Sequence, residues 1–285
     1  MKPPGAALDI ILAENIHGAA DRARRVLSRA GLSEEAVSER FGLVETSIGK
    51  MVPIMPEDAR SQDPLAVWAE PYNTLIVDRD GFLCGVPEAP DLYPVSPVGP
   101  WVDRKLYIHN MGHAAAAYLG YRRQPEAEYI WEVLRDAEVA AGVRAAMVRS
   151  AEALSRTYQQ SFTEHELLDH VDDLLRRFGN RALGDTLYRV GRDLPRKLRR
   201  DDRIIGAIDM VVKAGLDPEP ILEVLRAAPQ FDKPGPNGEV LDSDVELRRE
   251  YNARGAAEAW TWLLDEVVGL GPEERELREV VEGVG

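Results

Sequence analysis

"WVDRKLYIHNMGHAAAAYLGY", residues 101–121, reads as a helix, and helical periodicity dominates from here to the end of the chain. Towards the N-terminus the pattern is different. "LDIILAEN" (8–15) is an apolar run closed by polar residues, as in a buried parallel strand. "GAADRARRVLSRAG" (18–31) is an amphipathic helix closed by Gly31. "GLVETSI" (42–48), "KMVPIM" (50–55), "LAVWAE" (65–70) and "NTLIVDR" (73–79) read as short strands. Residues 86–100 hold five prolines and read as a connection rather than an element.

On the helical side, the periodicity predicts helices over 101–121, 126–147, 148–160, 163–177, 203–214, 218–228, 243–266 (broken near Gly255) and 272–282, with 232–239 as a loop. The expected layout is an α/β remnant over 1–92 followed by an all-α multi-helix domain over 93–285. The first part starts with a strand but has too few strands for a doubly wound sheet.

Composition narrows the function. With 35 basic and 49 acidic residues the formal net charge is −14, which disfavours nucleic acid or an anionic membrane as the main partner. A small anionic substrate in a local basic pocket remains compatible. One cysteine, Cys84, rules out an internal disulfide or a CxxC zinc pattern and fits a reducing cytoplasm. No apolar run approaches the roughly 18 residues that a membrane span needs. A soluble cytoplasmic protein is the expectation.

Three polar residues of the opening stretch are the first candidates for chemistry. At 100° per residue, Asn110 lies about 140° and His113 about 80° from Lys105, so all three fall on one half of a helix. Such a set can surround a carbinol, with one group taking the hydroxyl proton and two holding the oxygen. The same spacing equally describes a solvated helix face with a capping or core histidine. Asp103, two residues before Lys105, reads as a solvated helix charge or as a proton-relay acid, and His17 as a solvent-facing helix-start residue. The second candidate is "RVGRDLPRKLRR" (189–200), with six basic residues in twelve. Arg192, Arg196 and Lys197 are the residues expected to grip a phosphate monoester. The competing reading is a basic turn paired with acids such as Asp201 and Asp202.

The flanking sequence adds a resemblance. "WVDRKLYIHNMGHAAAAYLGY" is similar to the signature helix of the polyol-specific long-chain dehydrogenases, the mannitol-1-phosphate 5-dehydrogenases in particular. "ILAENIHGAADRARRVL" (11–27), "DPLAVWAEPYNTLIVDRDGF" (63–82) and "RFGNRALGDTLYRVGRDLPRKLRRDDRIIGAI" (177–208) resemble further segments of that family in the same order. The resemblance implies that 1–92 is the C-terminal part of a Rossmann-type NAD-binding domain with a β-extension. It makes 93–285 the helical catalytic and substrate domain. Lys105 would be the general acid/base, Asn110 would polarise the reacting oxygen, His113 would orient the substrate, and Asn15 would lie near the cofactor. NAD is the implied cofactor, a polyol or sugar phosphate the implied substrate, and no metal is implied. One departure is Gly49 in "SIGKMVP", where many relatives carry an acidic residue, which puts any relay through that position in doubt.

A dinucleotide domain needs a strand, a G-x-G-x-x-G turn and a helix in succession. The sequence holds none; its late "GLG" (269–271) follows no strand and lacks the third glycine. The family carries its fingerprint ahead of the point that resembles residue 1. The expectation is a chain lacking the N-terminal part of its nucleotide domain. That part is then supplied by a separate nucleotide-binding subunit or a homo-oligomer, by longer sequence, or lost in a decayed relative. The functional expectation is an NAD-dependent polyol-phosphate dehydrogenase. An unphosphorylated polyol or sugar-acid dehydrogenase and a non-catalytic helical assembly module are the alternatives.

Overall fold

A computed structural model describes residues 7–14, 16–53, 55, 61–271 and 274–283. The chain forms two compact units, Met1–Val52 with Leu65–Lys105, and Pro53–Pro64 with Leu106–Gly285.

The first unit is built on a four-stranded mixed sheet in the order β1 (Leu8–Leu12), β2 (Phe41–Ile48), β3 (Leu75–Asp78) and β4 (Leu92–Val95). β1 is parallel to β2, β2 antiparallel to β3, and β3 parallel to β4. The central β2 is buried on both faces, as its run of apolar and β-branched residues requires. Its two interior hydroxyls are satisfied: Thr46 Oγ1 donates to the Leu12 carbonyl at 2.8 Å and Ser47 Oγ to the Trp101 carbonyl at 2.9 Å. α1 (Ala19–Arg29) and α2 (Glu34–Arg40) bury Ala20, Val37 and Leu43 together with Ile10, Leu12 and Leu27. Ser33 caps α2 by accepting from the Ala36 N–H, and Glu34 and Glu35 face its positive end.

The structure corrects three expectations here. The proline-rich 86–100 stretch contains β4, because β4 is an edge strand and Pro94 can sit where no ladder donor is needed. "LAVWAE" forms no strand: Leu65, Val67 and Trp68 are 88%, 69% and 49% exposed, so no sheet face buries the apolar side chains. The described residues of "KMVPIM" form none either; Ile54 lies outside the described residues. There Pro53 has no N–H, and the Met51 N–H is taken by the Glu70 carboxylate at 2.6 Å instead of a strand partner.

The first unit closes with α3 (Gly99–Arg104). A π-turn, Lys105–Asn110, follows, and then α4 (Met111–Arg123) in the second unit. α4 is buried almost throughout, with Ala114, Ala115, Ala116 and Ala117 fully covered. Small residues on it admit close neighbours: Gly112 faces Met147, and Gly120 faces Val133 of α5 (Ile130–Val133). Met147 belongs to α6 (Ala137–Thr157), one continuous helix where the periodicity predicts two meeting at 147/148. It starts at Asp136, whose carboxylate caps the Glu138 and Val139 N–H groups. No proline or glycine stands at 147/148 to break it, and its buried residues run on through Ser150, Ala151 and Leu154. α7 (Glu164–Phe178) opens with a Thr163/Glu166 capping box. Two short helices that the periodicity does not show, α8 (Leu187–Gly191) and α9 (Leu194–Lys197), precede α10 (Ile205–Lys213) and α11 (Glu219–Ala227). α12 (Asp242–Asn252) and α13 (Ala256–Trp262) are separated at Gly255 as expected, and α14 (Arg275–Glu282) completes the domain. Among the described residues no helix is long and apolar enough to cross a membrane.

Gly191 ends α8 directly against the ring of the buried Phe231, and any Cβ there would overlap that ring. Gly191→Ala is expected to cost about 1–3 kcal/mol through overpacking, read as a lowered urea midpoint with an unchanged m-value.

Candidate functional site

The three polar residues of the opening stretch lie where helix regularity breaks. Lys105 begins the π-turn and ends the first compact unit; Asn110 closes the turn, and His113 sits in the first turn of α4. All three are half-buried. Asn15 lies outside the described residues.

Within the first unit, Asp103 is buried and its Oδ1 stands 3.2 Å from His17 Nε2. Asp103 is therefore not the solvated charge of the simpler reading, and His17, exposed as expected at a helix start, has an acid for company. Gly49 is covered by the Tyr72 ring, which a Cβ at Gly49 would meet at 3.3 Å. The neighbouring Lys50 Nζ donates to Asn73 at 2.7 Å.

Within the second unit, the surroundings of His113 are specific. Its ring lies flat on Phe178, centroids 4.7 Å apart at 7°. Phe178 also meets the buried His109 edge-on at 5.5 Å. His113 Nε2 is 3.3 Å from Asp185 Oδ2, and the other Asp185 oxygen pairs with Arg189. Asp185 is only 6% exposed. Burial, and then the charge of Arg192, push the Arg189 guanidinium below its ordinary value. Sequence reasoning missed Asp185 and Arg189. They lie 72 and 76 positions after His113, and backbone pairing seats that turn beside the segment after α4: Thr186 bridges Tyr129, and the Ile130 N–H donates to the Asp185 carbonyl at 2.9 Å.

The basic stretch forms a tight turn. Asp193 adopts a left-handed backbone at φ 69°, and the N–H groups of Asp193 and Leu194 both donate to the buried Asp244 carboxylate at 2.8 and 2.7 Å. Of the three expected phosphate ligands, Arg192 is exposed, with its guanidinium 5.4 Å over the Tyr188 ring. Arg196 is exposed and pairs with Asp193 and Asp202. Lys197 is buried, and its Nζ donates to the Arg192 carbonyl. Burial first, and then the Arg203 and Arg196 charges, push the Lys197 ammonium down to about 7.

The family profile of the mannitol dehydrogenase C-terminal domain matches residues 97–282. The chain belongs to this family. It is 33% identical to the mannitol-1-phosphate 5-dehydrogenase of Bacillus licheniformis over 81% of this chain and 60% of that one. It is 36% identical to that of Paenarthrobacter aurescens over 74% and 53%. The chain thus spans little more than half the length of these curated relatives. Its fold resembles a Pseudomonas fluorescens mannitol 2-dehydrogenase solved as a ternary complex with NAD and D-mannitol (TM-score 0.70, 19% identity, 98% of this chain, 59% of that one). It also resembles a D-sorbitol dehydrogenase solved in substrate-free form (TM-score 0.72, 16% identity, 98% and 60%). The sheet followed by a helical domain is the architecture these two share with it.

The Lys197 value makes a stability prediction. Its folded-state value of about 7 lies below the ordinary 10.5, so between these limits the unfolded chain holds the extra proton. Stability therefore rises with pH across that window, and the burial penalty is felt in full below it. Lys197→Met is expected to flatten the rise, measured as urea midpoints between pH 7 and pH 10.

Proposed function

We propose that the chain is the catalytic part of an NAD-dependent polyol-phosphate oxidoreductase, interconverting mannitol 1-phosphate and fructose 6-phosphate or close analogues. The observation that carries the reading is the family match over 97–282 together with half-buried Lys105, Asn110 and His113 in its first helical stretch. Residues 93–285 would be the catalytic and substrate domain and 1–92 the end of the nucleotide domain. Lys105 would take the carbinol proton during oxidation and return it during ketone reduction. Asn110 would donate to the reacting oxygen, and His113 would orient the substrate. NAD, when bound, supplies the hydride chemistry.

The described residues do not by themselves fit a whole dinucleotide, because no strand among them runs through a G-x-G-x-x-G turn into a helix. The reading therefore takes the pyrophosphate-holding turn from outside these 285 residues, with Asn15 near the nicotinamide. A separate nucleotide-binding subunit or a longer form of this chain would supply it. The edge strand β1, with Leu8 and Ile11 45% and 40% exposed, supports an added neighbour there.

A second reading, an unphosphorylated polyol as substrate, is favoured by one observation: Arg196 and Lys197 already have partners within the chain. The two readings separate on substrate. If Arg192, Arg196 and Lys197 grip phosphate, Arg196→Ala raises KM for mannitol 1-phosphate about tenfold and leaves KM for mannitol unchanged.

The first test is turnover of the protein isolated from its own cells with whatever subunits accompany it, beside an NADH fluorescence titration. Lys105→Ala is expected to lower kcat about 10²–10⁴-fold at unchanged NADH affinity. Full turnover in that variant would sink the catalytic assignment and favour a helical assembly module.

A further inference from the structure

We propose that Asp185, clamped by Arg189, is a positioning residue for His113: it holds a hydrogen on Nε2, so that Nδ1 is the nitrogen that gains and loses a proton. The inference rests on the reading above only in that His113 orients substrate there; its geometry stands without it.

A carboxylate that is 6% exposed stays charged only when cations or donors offset its lost hydration. Arg189 pairs with one oxygen, and His113 Nε2 lies 3.3 Å from the other, a charge contact without hydrogen-bond alignment. A carboxylate charge at 3.3 Å repels a lone pair and attracts a hydrogen, so it favours the imidazole state with the hydrogen on Nε2. Phe178, stacked at 7°, sets the plane of the ring, and the Asp185 charge lies on its Nε2 side. His109, at 6.5 Å between ring centroids, is the other titratable ring beside His113 on the same helical stretch.

The carboxylate is itself set by backbone pairing and not by a loose loop. Gly184 turns the chain at φ 60°, and the Asp185 carbonyl accepts from the Ile130 N–H. Thr186 bridges to Tyr129, and the Leu187 N–H donates to the Glu128 carbonyl at 2.8 Å. Asp185 is thus held at a strand-like bridge while Arg189, one helical turn later, reaches back to it. This is the carboxylate–histidine logic that fixes a tautomer in enzymes whose imidazole must present one particular nitrogen.

Imidazole ¹⁵N spectra of the full chain, with His113 assigned through His113→Gln, test it. The neutral ring of His113 is expected as the Nε2–H tautomer, and Asp185→Asn is expected to turn it into a mixture while the other histidines stay unchanged. An Nδ1–H tautomer in the wild-type chain overturns the proposal without any variant, as does an unaltered His113 in a folded Asp185→Asn. The same samples titrated with mannitol 1-phosphate are expected to show about tenfold weaker binding in Asp185→Asn. Tautomer control without any binding of that ligand to the wild type would sink the polyol-phosphate reading and leave the Asp185 assignment standing.

Discussion

Helix α4 leaves its neighbours no slack. Four consecutive alanines are fully buried, and the glycines on either side of them let Met147 and Val133 approach to contact distance of the backbone. A helix with such short side chains cannot adjust by swinging rotamers, so α5, α6 and α8 must fit it as rigid bodies. The Tyr118 hydroxyl, fully buried, donates to the Gly191 carbonyl at 2.9 Å, and burial pushes that phenol far above its ordinary range. The seat of α8 on α4 is therefore fixed by a polar contact as well as by packing. The charged pair at the N-terminal end of this interface, Asp185 with Arg189, inherits that rigidity.

The basic turn after α8 obeys the same economy of charge. In a chain of net charge −14, six basic residues in twelve look like a binding surface. Acids meet four of the six: Asp185 pairs with Arg189, Asp193 and Asp202 with Arg196, Asp201 with Arg199, and Asp209 and Glu274 with Arg200. Asp193 holds a left-handed conformation that costs a non-glycine residue on the order of 1 kcal/mol or more, and two bonds to the buried Asp244 offset it. Such strain is retained where a backbone must present side chains at one spot. A turn of this kind suits an anion site, yet its cations are not idle without one.

How much of this was legible in the sequence varies by cause. β2 and α7 stand where the sequence puts them, because a run of apolar and β-branched residues decides the first and helical periodicity the second. The break at Gly255 was legible because glycine between two apolar runs has few other roles. β4 was hidden because Pro94 speaks against a strand anywhere except an edge, and edge position is a tertiary fact. "LAVWAE" misled in the opposite sense: its apolar run is that of a strand, but among the described residues no strand pairs with it. Lys105, Asn110 and His113 could be named from one stretch because a helix brings together residues close in sequence. Asp185 could not, since its meeting with His113 depends on the pairing of Thr186 with Tyr129.

The π-turn shows why spacing alone could not give the bearing of those residues. The 100° step assumed for a regular helix places Asn110 about 140° from Lys105. Lys105–Asn110 follows an i→i+5 pattern, so each residue turns less and five steps fall nearer to one full turn. The backbone of this segment draws Asn110 towards the bearing of Lys105, while Ile108 and His109 inside it are buried. A wide turn forfeits regular hydrogen bonding, and such turns persist mostly where a side chain must be re-aimed. Here it falls on the residues to which the proton chemistry is assigned, and the regular helix resumes just before His113.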